Sequence, residues 1–479
     1  MSNVLENVNH IVVVMFENRS LDSMLGWLYP DGEMPQAVLP AGSSPYFDGV
    51  MPDMSNPSRA HQPVFVTRSA ANARVPDPDP METFENVTAQ VFGPQNGDAP
   101  PLPPMHGFVL NYQITSAPDP SQVMQCYSPA QLPVLSALAR AYAVSDAWFA
   151  SVPSQTWPNR AFAHAGTSNG HVNNGTLTAN PSTNALPDPL QWDMRTIFNV
   201  LEETGTSWTV YHDTSLIPSL TRTMFPTLWD ESLSPHFQHF SHFVDACASG
   251  SLPRYSFIEP SFLIEPNDQH PPHDVAAGEH FLYRIWEAVS TSPAWRDTLL
   301  LITFDEHGGN FDHVMPPGGA VPPDATSKPG DDGFGFDRFG VRVPAVLVSP
   351  HIAPGTVFRS PTGTPYDHTS ILATLRDALN IPAAQMLTSS RIAQAPTLAQ
   401  VLTLATPRDD LPAIAKPSGV FVHPSLDEPL NDLQKSLVTG NARRFGLDID
   451  TVAASVSKRA HAVGFFDGLP QQRKAGTVK

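Results

Sequence analysis

The chain has 479 residues, room for one large α/β domain with insertions or for two or three smaller ones, and 41% of it is hydrophobic, which excludes global disorder. Against 46 Asp and Glu stand 27 Lys and Arg; the net charge of −19 disfavours nucleic acid and strongly anionic membranes as partners. Two cysteines, Cys126 and Cys247, are too few for a disulfide framework or a thiolate zinc site.

The opening MSNVLENVNH has neither a basic n-region nor a long apolar h-region, so as written the chain is expected in the cytoplasm, or secreted if a signal was removed or another export route is used. The run from His10 to Phe16 reads as a buried strand and is too short to cross a bilayer. Residues 30–105 are rich in Pro, Gly, Asp and Ser and read as a loop-rich insertion with a short helix near Glu82 to Val91. Further strands are expected at Trp208–Tyr211, Tyr255–Ile258, Thr298–Phe304 and Val341–Val348. Helices are expected over Asp193–Gly205, from Asp367, and over Asp274–Ser290, where Val275, Phe281, Leu282, Ile285, Trp286 and Val289 form one apolar stripe behind an Asp cap. Continuous apolar strands alternating with helices imply a doubly wound, mostly parallel α/β sheet. The expected organisation is a core over residues 1–405 and a helical C-terminal extension over 406–479, closing on a polar tail at Arg473 to Lys479.

In such sheets ligands bind beyond the carboxyl ends of the strands. One strand closes on Glu17-Asn18 and another on Asp305-Glu306-His307-Gly308-Gly309. Acidic groups gathered at one edge repel unless a cation lies between them, and oxygen ligands suit Mg, Mn, Ca or Zn. The plainer alternative is solvated loop carboxylates or helix caps. In Ser151-VPSQTWPNRAFAHAG, Pro158 fits the first turn of a helix stopped by Gly166, which puts Thr156 at the N-terminus. A hydroxyl there is either a phosphoryl nucleophile beside a metal or, with Ser154, an ordinary cap. In Asn267-DQHPPHD two prolines exclude a helix, so the loop presents His270 and His273. His106, His307, His313 and His368 stand in other loops, and each alone is most simply a surface residue.

Taken together, HIVVVMFENRSLDSMLG (10–26), MHGF (105–108), ASVPSQTWPNR (150–160), NDQHPPHD (267–274), LLITFDEHGGNFDHV (300–314), FGFDRFGVRVPAVLVSP (334–350), YDHTSIL (366–372) and PLNDLQKSLV (429–438) resemble, in order, the bacterial phospholipase C / acid phosphatase family shared with plant non-specific phospholipases C. The resemblance implies an alkaline-phosphatase-like fold and one divalent metal ion, of uncertain identity among Zn, Ca, Mg and Mn. It places Glu17, Asn18, Thr156, Asp305 and Glu306 on that metal, with Thr156 as nucleophile, His270 and His273 as catalytic histidines, and Asn18, His106 and His313 toward substrate. The implied activity is phospholipase C-type hydrolysis of glycerophospholipids through a phosphothreonine. The alternatives are an acid phosphatase acting on small phosphomonoesters and a non-catalytic binder of phosphorylated headgroups. The implied partner is a phospholipid or small phosphoester, with at most transient contact with a zwitterionic membrane surface. One departure stands out. Glu82, in Asp77-PDPMETFENVTAQVFG, occupies the place of a family histidine.

Overall fold

A computed structural model of the chain describes residues 4–30, 32–94, 102–115, 117–175, 192–214 and 216–474. Its centre is a nine-stranded sheet of β1 His10–Phe16, β2 Ala37–Leu39, β3 Ala143–Ser145, β4 Trp208–His212, β5 Phe237–His239, β6 Tyr255–Glu259, β7 Thr298–Phe304, β8 Ala345–Val348 and β9 Thr356–Phe358. The order across the sheet is β2-β9-β3-β8-β7-β1-β6-β4-β5, and every neighbouring pair is parallel except the two made by β8. Ile11 to Phe16 are buried on both faces of the sheet, which is why this strand is continuously apolar rather than alternating.

The helices that frame the site are α1 Phe84–Phe92, α2 Pro133–Ala141, α3 Thr156–Ala165, α4 Ile197–Glu203, α5 Val275–Ser290 and α6 Thr369–Ala378. Helix α5 has the expected Asp274 cap, whose carboxylate accepts from Ala276 N at 2.9 Å, and its six stripe residues are buried. Helices α2 and α5 pack on each other, while α3 packs on α4 and α6. Helix α3 ends at Gly166, whose left-handed φ of 73° supplies the stop. At the C-terminus α7 Asp432–Arg444, α8 Ile449–Ser455 and α9 Arg459–Lys474 form a helical region. Leu433, Leu437, Val438, Phe445, Ala462 and Phe466 join the same apolar cluster as the sheet. The expected polar tail lies outside the described residues from 475 on, and its first two residues close α9.

Two readings needed correction. The strand expected from Val341 begins only at Ala345, because Pro344 has no N–H for a ladder and Arg342 turns its side chain into an ion-pair cluster. The loop-rich segment 30–105 also contributes β2, which pairs in parallel with β9 at the sheet edge. The three-residue strands β2, β3, β5 and β9 are too short to show a period in sequence. Among the described residues no helix is long and apolar enough to cross a membrane.

Candidate active site

Strands β1 and β7 run in register, Phe16 opposite Phe304, so the residues that follow them fall side by side. Asp305 N donates to Phe16 O at 3.2 Å, and Asn18 N donates to Asp305 Oδ1 at 3.0 Å. Asn18 takes a left-handed φ of 52°, which turns the chain out of the sheet immediately after Glu17. Opposite it, Gly308 has φ 60°, and a Cβ there would lie 2.2 Å from Asn18 O. The HGG glycine therefore has a steric reason: the two strand ends approach too closely for any side chain. Glu17, Asn18, Asp305 and Glu306 are all fully buried.

Helix α3 delivers the hydroxyl. Its N-cap is Gln155 rather than Ser154 or Thr156, which leaves Thr156 as the first helical residue, fully buried. Thr156 Oγ1 donates to Glu17 Oε2 at 3.2 Å. One turn on, Arg160 donates from Nε to Glu17 Oε1 at 2.9 Å, adds a short contact from Nη2 to the same oxygen, and places Nε 3.8 Å from Asp305 Oδ2. Burial pushes the Glu17 carboxyl well above its usual range against the pull of Arg160, and burial followed by the charge of Asp305 does the same to Glu306.

Asn18 Oδ1, Asp305 Oδ2 and Glu306 Oε1 are buried oxygens with no hydrogen-bond partner among the described residues. Unpaired buried acceptors are costly, and three of them beside a hydroxyl and a second carboxylate form a donor set suited to a hard divalent cation. Glu17, Asn18, Thr156 and Asp305 are linked directly or through Arg160, Glu306 follows Asp305 in the chain, and as a set of oxygen donors these residues fit a divalent metal. Around them His368 Nε2 donates to the Asp305 carbonyl at 2.6 Å, its tautomer set by Trp148 Nε1 approaching Nδ1 at 3.4 Å. His307 Nε2 donates to Gln90 Oε1 at 2.8 Å, and burial drives its pKa down to about 3, so it stays neutral. Both imidazoles orient the acidic loop.

Of the other expected residues, His270 and His273 lie on the loop after β6, which is tied to Glu17 by Glu17 N donating to Asp268 O at 2.9 Å. Both are buried. His273 is fixed by Asp268 Oδ1 at 2.6 Å on Nδ1 and by Arg459 at 3.4 Å on Nε2. His270 Nε2 has no hydrogen-bond partner among the described residues. His106 is half-buried, with Nδ1 on Pro104 O at 2.9 Å, and no bond joins it to the acidic residues. His313 is likewise apart from them: its nitrogens reach Asp22 Oδ2 at 2.6 Å and Asp48 Oδ1 at 3.2 Å, in a cluster with Asp312 and the buried Arg342.

Residues 8–382 match the Phosphoesterase family. The chain belongs to that family. Non-specific phospholipase C3 of Arabidopsis thaliana is 37% identical over 458 residues, 91% of this chain and 82% of the relative. Phospholipase C B of Mycobacterium tuberculosis is 28% identical over 515 residues, 99% of this chain and 89% of the relative. A solved structure of an alkaline phosphatase superfamily protein from Vibrio parahaemolyticus is 12% identical with a TM-score of 0.31, covering 56% of this chain and 65% of that one, a likeness too slight to bear on the fold.

In this Phosphoesterase-family chain Arg160 has no individual signal in the sequence: it sits inside the PNR block, but its partner Glu17 is 143 positions away and the pairing exists only in three dimensions.

Proposed function

We propose that the chain is a metal-dependent phosphoesterase that cleaves glycerophospholipids as a phospholipase C, with Thr156 as nucleophile. The observation that carries this reading is the buried Thr156 hydroxyl, 3.2 Å from Glu17 Oε2, at a sheet edge where Asn18, Asp305 and Glu306 keep buried oxygens without a partner among the described residues. The substrate class follows the phospholipase C names of relatives that cover more than two thirds of their own length.

A divalent cation held by Glu17, Asn18, Thr156, Asp305 and Glu306 would supply Lewis-acid stabilisation of negative oxygen. The residues do the rest. Glu17 Oε2 already accepts the Thr156 hydrogen and is placed to take it as Oγ1 attacks phosphorus in line. The phosphorus–oxygen bond to the glycerol breaks, and the headgroup phosphate stays on Thr156. Arg160 keeps Glu17 oriented and carries a buried, unpartnered Nη1 that can meet a phosphoryl oxygen. His270, whose Nε2 is free, gives its proton to the leaving alkoxide, and Asp268 and Arg459 hold His273 so that the loop keeps its shape. Water then attacks the phosphorus held by Thr156 and gives a proton to His270; the Oγ1–phosphorus bond breaks, the headgroup phosphate leaves, and Thr156 takes back the hydrogen held by Glu17.

The helix dipole adds less than the sequence suggests. Trp157 N–H is taken by Asn174 Oδ1 at 2.7 Å and Pro158 has no N–H, so anion binding there rests on side chains. The test is hydrolysis of p-nitrophenylphosphorylcholine against p-nitrophenyl phosphate by metal-reconstituted enzyme. Preference for the diester supports the phospholipase C reading; preference for the monoester replaces it with a phosphatase.

A further inference from the structure

Beside the Thr156 site lies a second group of ligands brought together from three parts of the chain. Asp79 and Glu82 come from the segment entering α1, His270 from the loop after β6, and Asp432 from the first residue of α7. One ligand atom of each lies within 4.8 Å of those of the others. Glu82 and His270 are buried, with His270 at 0% exposure, and Asp79 and Asp432 are partly so at 21% and 31%.

Three of the four ligand atoms are unused. Asp79 Oδ1, Asp432 Oδ1 and His270 Nε2 have no hydrogen-bond partner among the described residues. The imidazole stands 3.7 Å from each of the two aspartates, too far for a hydrogen bond. Its Nδ1 lies 2.7 Å from Pro271 O, a carbonyl that can only accept, so Nδ1 carries the hydrogen. That leaves Nε2 facing Asp432, the arrangement by which a backbone carbonyl orients a metal-ligating histidine.

Charge gives the second argument. Among the described residues no Lys or Arg forms an ion pair with Asp79, Glu82 or Asp432. Three carboxylates this close repel one another pairwise. His270 and Arg19 offset these charges only in part, and burial still pushes Asp79 up to about 7 and raises Glu82 as well. The other cluster of this kind, Asp22, Asp312 and His313, has the Arg342 guanidinium among its carboxylates and needs nothing further.

We infer that Asp79, Glu82, His270 and Asp432 form a second divalent-cation site, of three carboxylates and one imidazole, adjoining the first. That ligand set suits Mn or Zn better than Mg, because an imidazole takes the place of an oxygen or water ligand. Glu82 joins the two sites: its Oε1 accepts from Nδ2 of Asn18 at 3.4 Å. The departure at Glu82 thereby acquires a purpose, since a carboxylate facing a phosphoryl group is tolerable only with a cation beside it. The C-terminal helix acquires one too: the family match ends at residue 382, and Asp432 lies beyond it. Filling the site also decides what His270 does. As a ligand it cannot carry a proton, and with the site empty it can.

The inference stands apart from the identity of the nucleophile or substrate, and its test reads binding rather than turnover. The full chain is stripped with EDTA and titrated with Mn²⁺ at pH 7.5, and free Mn²⁺ is followed by electron paramagnetic resonance. The expected result is two ions bound per wild-type chain and one in Glu82→Gln and in Asp432→Asn, with Glu306→Gln also losing one but from the other site. One ion in the wild type overturns the inference, as do two ions in the Glu82→Gln/Asp432→Asn double variant. If those variants fail to fold, as judged by circular dichroism, His270→Asn serves in their place with the same expectation.

Discussion

His313→Gln tests the electrostatic reading of the cluster that the structure sets apart from the site. The imidazole reaches Asp22 Oδ2 at 2.6 Å and Asp48 Oδ1 at 3.2 Å, and a carboxylate can only accept, so both ring nitrogens carry hydrogen. Burial would lower its pKa, but the bonds to Asp22 and Asp48 outweigh burial and raise it from 6.5 to about 10. The folded value is raised, so the stabilisation is complete below pH 6.5, where the unfolded chain is protonated as well. Above that it falls by about 1.36 kcal/mol per pH unit and is gone near pH 10. The full interval corresponds to at most about 5 kcal/mol, and with Asp48 more than half exposed a loss of roughly 2–4 kcal/mol at pH 6.5 is expected. Gln keeps one donor and similar bulk but never titrates. Urea unfolding of both proteins at pH 6.5 and 9.5 should show a gap that has mostly closed at the higher pH. A gap of equal size at both values would show that His313 contributes packing and not charge.

Three further outcomes follow from the site. Gly308→Ala brings a methyl group within 2.2 Å of Asn18 O at a left-handed φ, so it should lower affinity for the first cation roughly 10- to 100-fold by calorimetric Mn²⁺ titration; unchanged affinity would contradict the close approach. Arg160→Lys keeps the charge but loses the forked contact with Glu17, and should cost about 1–3 kcal/mol in urea unfolding, with no loss counting against the pairing. With a single equivalent of metal, so that the second site stays empty, His270→Asn should slow a diester with an alkyl leaving group far more than a p-nitrophenyl ester, whose leaving group needs no proton; equal slowing would remove His270 from the proton path.

The sequence made the frame of the site readable because the frame is local. Two long apolar strands announce themselves, and whatever closes them must stand at the sheet edge, which placed Glu17, Asn18, Asp305 and Glu306 together before any coordinates. Pro158 and Gly166 bracketed α3 and so placed Thr156. What could not be read depends on long-range contact. His313 belongs to a DEHGG-containing block but turns back toward Asp22 and Asp48, 291 and 265 positions away. Arg160 faces Glu17 only because α3 packs beneath the end of β1. Asp432 is an ordinary helix-start residue until α7 is docked, when its Oδ2 takes the Gln155 side chain at 2.6 Å, next to the nucleophile. Short strands were missed for a different reason: three residues cannot display a period.

The central claim is that Thr156 is the nucleophile, and the most direct measurement is an acid quench of wild type and Thr156→Ala during turnover of p-nitrophenylphosphorylcholine, followed by peptide mass spectrometry. A phosphorylcholine adduct on the peptide carrying Thr156 is expected in the wild type. No adduct is expected in Thr156→Ala, together with a fall in kcat of roughly 10³-fold or more, and partial activity in Thr156→Ser. An adduct on another residue, or near-native turnover by Thr156→Ala, would contradict it.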